Sequence, residues 1–191
     1  MNDARMERDL LGTMEIPAGA YWGIHTARAL ENFQVSGIAL AGHRLLVVAL
    51  AAVKQAAARA NHELGVLDDR RAAAIDRACQ DVIDGRLNDQ FLVDVVQGGA
   101  GTSTNMNANE VIANRALELL GHPLGSYDQL HPNDHVNRGQ STNDVYPTAV
   151  KLALVEALGG LSQTVEALSD AFGAKATEFA EVPKVGRTQL Q

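Results

Sequence analysis

Between His131 and Thr148 the chain reads HPNDHVNRGQSTNDVYPT, a polar run set between apolar neighbours. Ser141, Thr142 and Asn143 stand in a row, and an apolar helical pattern follows at once. Hydroxyls and an amide at a helix start, beside backbone N–H groups that have no intrahelical acceptor, suit a carboxylate or phosphate. A second stretch, QGGAGTSTNMNANEV from Gln97 to Val111, repeats the design. Gly98, Gly99 and Gly101 let the backbone approach a ligand closely, and Thr102, Ser103 and Thr104 supply hydroxyls before the next helix. Taken singly, each stretch reads first as an ordinary cap and turn. Two of them, both rich in hydroxyls, point toward an anion site.

The elements that must position these residues follow from the pattern. Aromatics make up only 4% of the 191 residues and alanine and leucine fill the gap, which favours helices over sheets. With 46% hydrophobic and 20% charged residues the chain can bury a core. Met1 to Arg8 reads as a mobile terminus. Asp9 to Trp22 is extended and turn-rich, and Gly23 to Phe33 is a short helix or turn that carries His25 and Arg28 at the edge of the core. Ala39 to Leu64 reads as the first long helix, with Leu45, Val48, Ala49, Ala52, Val53 and Ala56 on its apolar face and Gly65 as a left-handed cap. Asp68 caps a second helix that runs to Asp84 on Ala72, Ile75, Cys79, Val82 and Ile83. Phe91 to Val96 is a strand or a buried extended segment. A third helix spans about Asn105 to Leu120 and is stopped by Gly121 and Pro123. Gly125 to Arg138 is a loop. The last helix runs from about Asp144 to Phe179, with Pro147 in its first turn and a kink at Gly159-Gly160.

The net charge of −7 argues against nucleic acid as the main partner, because no basic stripe exists to neutralise phosphates. Cys79 is the only cysteine, so no disulfide forms within the chain; it reads as a small buried hydrophobe and fits a reducing compartment. The first residues hold no apolar signal core, and the longest apolar run, Leu45 to Val53, is too short to span a bilayer. These features predict a soluble, cytoplasmic protein without membrane contact. The six histidines are scattered, with no metal-ligand spacing.

DLLGTMEIPAGAYWGIHTARALENF near the start, GGAGTSTNMNANEV, HPNDHVNRGQSTNDVYPT and GRTQLQ at the end together resemble the N-terminal part of the aspartase/fumarase superfamily, and most closely its ammonia-lyase branch. The resemblance covers essentially the whole chain. It implies a mainly α, aspartase/fumarase-like fold: a small helical domain over residues 1–137, then the beginning of a long-helix bundle over 138–191. It implies amino-acid metabolism, with L-aspartate giving fumarate and ammonium through an enediolate, no organic cofactor, and a divalent cation such as Mg²⁺ as an optional activator. Carried over by motif, Thr102, Ser141, Thr142, Asn143, Thr188 and Gln189 bind substrate, with Ser141 and Thr188 the catalytic contributors. His131, Asn133 and Asp134 match a secondary anion site. Gln189 favours the ammonia-lyases, since fumarases read GRTHLQ there, whereas His131 is fumarase-like. The family's base, a serine on a Gly- and Ser-rich loop with a lysine and asparagine beyond it, has no match in this chain. Family members are more than twice as long and assemble as homotetramers, each active site drawing on three subunits. The chain is therefore expected to be an N-terminal fragment or truncated frame. A class II fumarase-type hydratase and a non-catalytic remnant that binds dicarboxylates or co-assembles are the alternatives. Isolated, the bundle helix would expose an apolar stripe and drive association.

Overall fold

The computed structural model describes residues 4–187 and residue 189. The chain opens on an antiparallel hairpin, β1 (Ala4–Asp9) paired with β2 (Gly12–Pro17). Helices α1 (Ile24–Asn32), α2 (Arg44–Glu63), α3 (Asp69–Ile83) and α4 (Thr102–Leu119) follow, and α5 runs Thr142–Glu178. The expected mainly α fold is the one found. One compact unit covers Met1–Ala153, and a second covers Leu154–Gln191.

In the first unit α4 is the central element. It is buried on nearly every side, by apolar residues such as Val111, Ile112 and Leu117 and equally by Asn105, Asn107, Asn109, Glu110 and Asn114. A helix hydrophobic on one face sits at a surface, whereas one buried all round must satisfy its polar groups internally. Glu110 does this by capping α1. Its carboxylate accepts from the backbone N–H groups of Gly23 (2.9 Å), His25 (2.8 Å) and Thr26 (3.0 Å) and from Thr26 Oγ1 (2.7 Å). These are the donors a helix start leaves free. Burial pushes the Glu110 carboxyl above its ordinary range, and the four donors oppose that push. Glu7 completes the cap, accepting from Ile24 N at 2.8 Å.

That bond explains the first departure from expectation. Residues 4–8 of the expected mobile terminus are ordered, because Ala4–Asp9 is a strand anchored by buried Glu7 and by Arg5, which donates to the carbonyls of Ala20 and Trp22 at 2.7 Å each; residues 1–3 lie outside the described residues. Arg28 pairs with Asp9 at 2.6 Å and holds its carboxyl down at about 2. The apolar stripe of α2 is also turned from the expected one. Val47, Leu50, Ala51, Lys54 and Ala58 face inward, while Leu45 is exposed. Gly65 does sit in the left-handed region, at φ 68°, and Asp68 caps α3 by accepting from Arg71 N. Phe91 to Val96 forms no strand among the described residues. It is a buried extended segment tied to residues 38–41 by Leu40 N to Val93 O and Ala41 N to Phe91 O, both 2.9 Å. α4 and α5 begin three and two residues before the expected positions, so Pro147 lies in the second turn of α5 rather than the first.

The second unit is the remainder of α5 and the segment beyond it. The helix runs through Gly159-Gly160 without a break. Leu154, Leu158, Leu161, Val165, Leu168 and Phe172 recur at steps of four and three, and all are exposed. That alternation is the 3.5-residue period of a helix seam built to pack on other helices.

Glu110→Ala strips three buried donors of their acceptor, each loss costing about 1–3 kcal/mol. Urea denaturation is expected to show at least ~3 kcal/mol less stability, with Glu110→Gln losing less. A loss below ~1 kcal/mol would show that α1 does not depend on this cap.

Candidate active site

The two hydroxyl-rich stretches, distant in sequence, meet in the first unit. Gly101 precedes α4 at φ 90°, a left-handed conformation, and packs against the Tyr146 ring near the start of α5. A Cβ built there would lie 2.5 Å from Tyr146 Cγ, so only glycine lets the two helix starts approach this closely. Between them lies an open cleft of ≈ 290 Å³ lined by Val95, Gln97, Gly99, Gly101, Asn143 and Tyr146, among others.

Both helix starts keep donors in reserve. On α4, Gln97 serves as the cap: its Oε1 accepts from Thr104 N at 2.9 Å and its Nε2 donates to Thr104 Oγ1 at 2.7 Å. No acceptor among the described residues takes the backbone N–H of Thr102 or Ser103. On α5, Ser141 Oγ accepts from Asn143 N at 3.2 Å, and the Ser141 carbonyl accepts from Asp144 N and Val145 N at 3.0 Å. Ser141 is thus a cap, and its hydroxyl proton remains available to a ligand. Thr142 points inward. Its Oγ1 accepts from Asn105 Nδ2 at 3.1 Å, which frees its own proton to be donated elsewhere.

Of the residues singled out from sequence, Asn143 lines the cleft. Thr102 follows lining residue Gly101, and Ser141 and Thr142 directly precede Asn143. Thr188 lies outside the described residues, and Gln189 sits in an exposed turn of the second unit. His131, Asn133 and Asp134 form a local turn around Pro132–Val136. His131 Nδ1 accepts from the backbone N–H groups of Asn133 (3.1 Å) and Asp134 (3.2 Å). None of the three lines the cleft. His135 Nδ1 accepts from His131 N at 2.7 Å, and burial lowers its pKa.

Sequence reasoning missed the layer behind Thr142. Asn105 Nδ2 also donates to Asn137 Oδ1 at 3.1 Å, and that same oxygen accepts from Lys54 Nζ at 2.6 Å. Lys54 is fully buried on the inward face of α2, and desolvation pulls its pKa down to about 7. The signal was present: Val47, Leu50, Lys54 and Ala58 share one stripe, and a lysine there stands where an apolar residue belongs. Among the described residues no group of three or more His, Cys, Asp or Glu could hold a metal ion, and no helix is long and apolar enough to cross a membrane. Cys79 is buried, and burial pushes its thiol pKa up, leaving it inert.

The chain as a whole is similar to known proteins. A family model described as Lyase matches residues 12–191. The aspartate ammonia-lyase of Pseudomonas aeruginosa is 58% identical over 188 residues, covering 98% of this chain and 40% of that protein. Among solved structures, the fumarate lyase:delta crystallin from Brucella melitensis bound to cobalt matches with a TM-score of 0.94 at 59% identity, over 99% of this chain and 41% of that one. A recombinant class II fumarase from Schistosoma mansoni matches with a TM-score of 0.84 at 37% identity, over 99% and 40%. The chain spans about 40% of the length of the curated relatives it matches.

Gly101→Ala combines left-handed strain of about 1–2 kcal/mol with a clash against Tyr146 that adds about 1–3 kcal/mol. Gly65→Ala, at a similar φ with nothing within 4 Å, carries only the strain. Thermal or urea unfolding should rank Gly101→Ala as clearly the more costly. Equal losses would show that the two helix starts are not pressed together.

Proposed function

The chain belongs to the aspartase/fumarase lyase superfamily, and from that premise we propose that it supplies substrate-binding donors of an ammonia-lyase that converts L-aspartate reversibly to fumarate and ammonium. The observation that carries this reading is the meeting of two helix N-termini, each with uncommitted donors, at a cleft that only Gly101 permits.

A dicarboxylate brings the negative charge that such a cleft lacks. Helix N-termini offer aligned N–H groups and the positive end of the peptide dipoles. In the elimination, loss of the proton beside one carboxylate piles further charge onto that carboxylate as an enediolate, before the C–N bond breaks. Neutral donors fixed in place stabilise that added charge without solvating water having to rearrange. We assign this work to Ser141, Thr142, Asn143 and Thr102; Thr188 and Gln189 are assigned to substrate binding by motif alone. No residue of this chain is assigned as the base. The cobalt in the Brucella melitensis structure belongs to that protein alone.

Assembly as a homotetramer is part of the proposal, and the four-and-three seam of α5 supports it. His131, Asn133 and Asp134 are proposed as a second anion site. With His131 Nδ1 occupied by backbone donors, only Nε2 is left to meet an anion. A fumarase-type hydratase is the second reading, favoured by the likeness to the Schistosoma mansoni enzyme. The same donors would then hold malate and fumarate.

Protein carrying these residues is expected to release fumarate from L-aspartate, and Ser141→Ala to lower kcat/KM by about 10²–10³. Turnover of L-malate and not of L-aspartate would move the assignment to the hydratase. Turnover of neither, in protein that also fails to bind succinate, would refute the dicarboxylate reading.

A further inference from the structure

Lys54 is used by nothing described so far, and its surroundings are unusual for a cation. Its side chain is fully buried, and its one hydrogen-bond partner among the described residues is the neutral Asn137 amide. From α3 the Cys79 thiol faces it, held protonated by burial. From α4 and from the loop before α5 come Asn105 and Asn137, both neutral. Among the described residues no acidic side chain is bonded to the Lys54 amine; Arg59 and Asp76 pair with each other at 2.5 Å. A buried ammonium with no counter-ion is costly, and such a group sheds its proton unless an anion comes close. The start of α5, where Thr142 directly precedes cleft residue Asn143, is linked to Lys54 by hydrogen bonds. Two amides connect them: Lys54 Nζ to Asn137 Oδ1 at 2.6 Å, Asn105 Nδ2 to the same oxygen at 3.1 Å, and Asn105 Nδ2 to Thr142 Oγ1 at 3.1 Å. Charges separated by so short and partly buried a path interact more strongly than charges in open water and are less screened by salt.

We propose that Lys54 is a positioning residue that acts as the internal counter-ion of the cleft, so that binding a dicarboxylate at the starts of α4 and α5 draws one proton from the buffer onto the Lys54 amine. The nitrogen lone pair accepts that proton, a buffer acid gives it up, and no other bond changes. The charged lysine then holds Asn137, and through Asn105 the Thr142 hydroxyl, in the donating arrangement. This rests on the dicarboxylate reading of the cleft.

The sign of the pH effect follows. In the free protein Lys54 titrates at about 7 instead of 10.5. Between those values the unfolded chain binds the proton and the folded chain does not, so stability rises with pH across that window. Binding runs the other way. Only the protonated fraction is matched to the anion, so affinity falls by about tenfold between pH 6 and pH 8.

The test is calorimetry of succinate binding to the 191-residue chain at pH 8 in two buffers of different ionisation enthalpy. The expected result is uptake of roughly one proton per succinate, lost in Lys54→Met together with the rise of stability at alkaline pH. If that variant does not fold, lysine labelled with ¹⁵N reads the same event, the Lys54 Nζ signal passing from amine to ammonium as succinate is added. Succinate binding without proton uptake, uptake unchanged in Lys54→Met, or a Lys54 signal that does not move overturns the proposal and leaves the cleft's occupant intact. Absence of succinate binding overturns both.

Discussion

One helix buried on nearly every side carries six buried polar side chains, Thr104 and five more, and the rest of the compact unit is arranged around them. α4 presents Asn105, Asn107, Asn109, Glu110 and Asn114 to an interior that water does not reach. A polar group in that position is expensive without a partner, so each one that finds a partner fixes a piece of chain. Glu110 fixes the start of α1. Asn107 donates to Gln90 O, and Asn114 joins Tyr21 O, Gly125 N and the Tyr127 hydroxyl. Asn105 reaches the start of α5 and Asn137. The polar side chains of one helix therefore set the start of α1, the loops at Gln90 and Gly125, and the two helix starts at the cleft. The satisfaction is not complete: the side-chain oxygens of Asn105, Asn107 and Asn109 accept no hydrogen bond among the described residues. Their cost sits in the first turns of the helix that opens onto the cleft.

This constraint also decides what could be read in advance. The caps at Asp68 and Gly65 were legible because they are local: one side chain or one backbone angle carries each. The hydroxyl-rich starts of α4 and α5 were legible as helix starts for the same reason. Their meeting was not, since it depends on Gly101 resting against Tyr146, forty-five positions away. The face of α2 was misplaced because alanine fills both sides of that helix, and periodicity among alanines discriminates weakly. The opening strand was missed because its reason is a single glutamate, Glu7, whose partners lie on α1 and at Tyr127.

Chemically, the cleft is made of neutral donors, with the buried amine of Lys54 behind them. Ser141 and Thr142 are each held by a bond in which the hydroxyl oxygen accepts, leaving the proton to point away. Such an arrangement favours an anion over a neutral ligand and resists collapse when the ligand leaves. Likeness to an ammonia-lyase and to a fumarase accords with this, because both chemistries place charge on a carboxylate.

The central claim is that two helix starts form one anion site, and amide NMR during a succinate titration tests it most directly. The account predicts that the backbone signals of Gly101 and Thr102 at the start of α4, and of Ser141, Thr142 and Asn143 at the start of α5, shift together along a single binding curve. Shifts confined to one of the two helix starts, or a response elsewhere with both left unmoved, would contradict it.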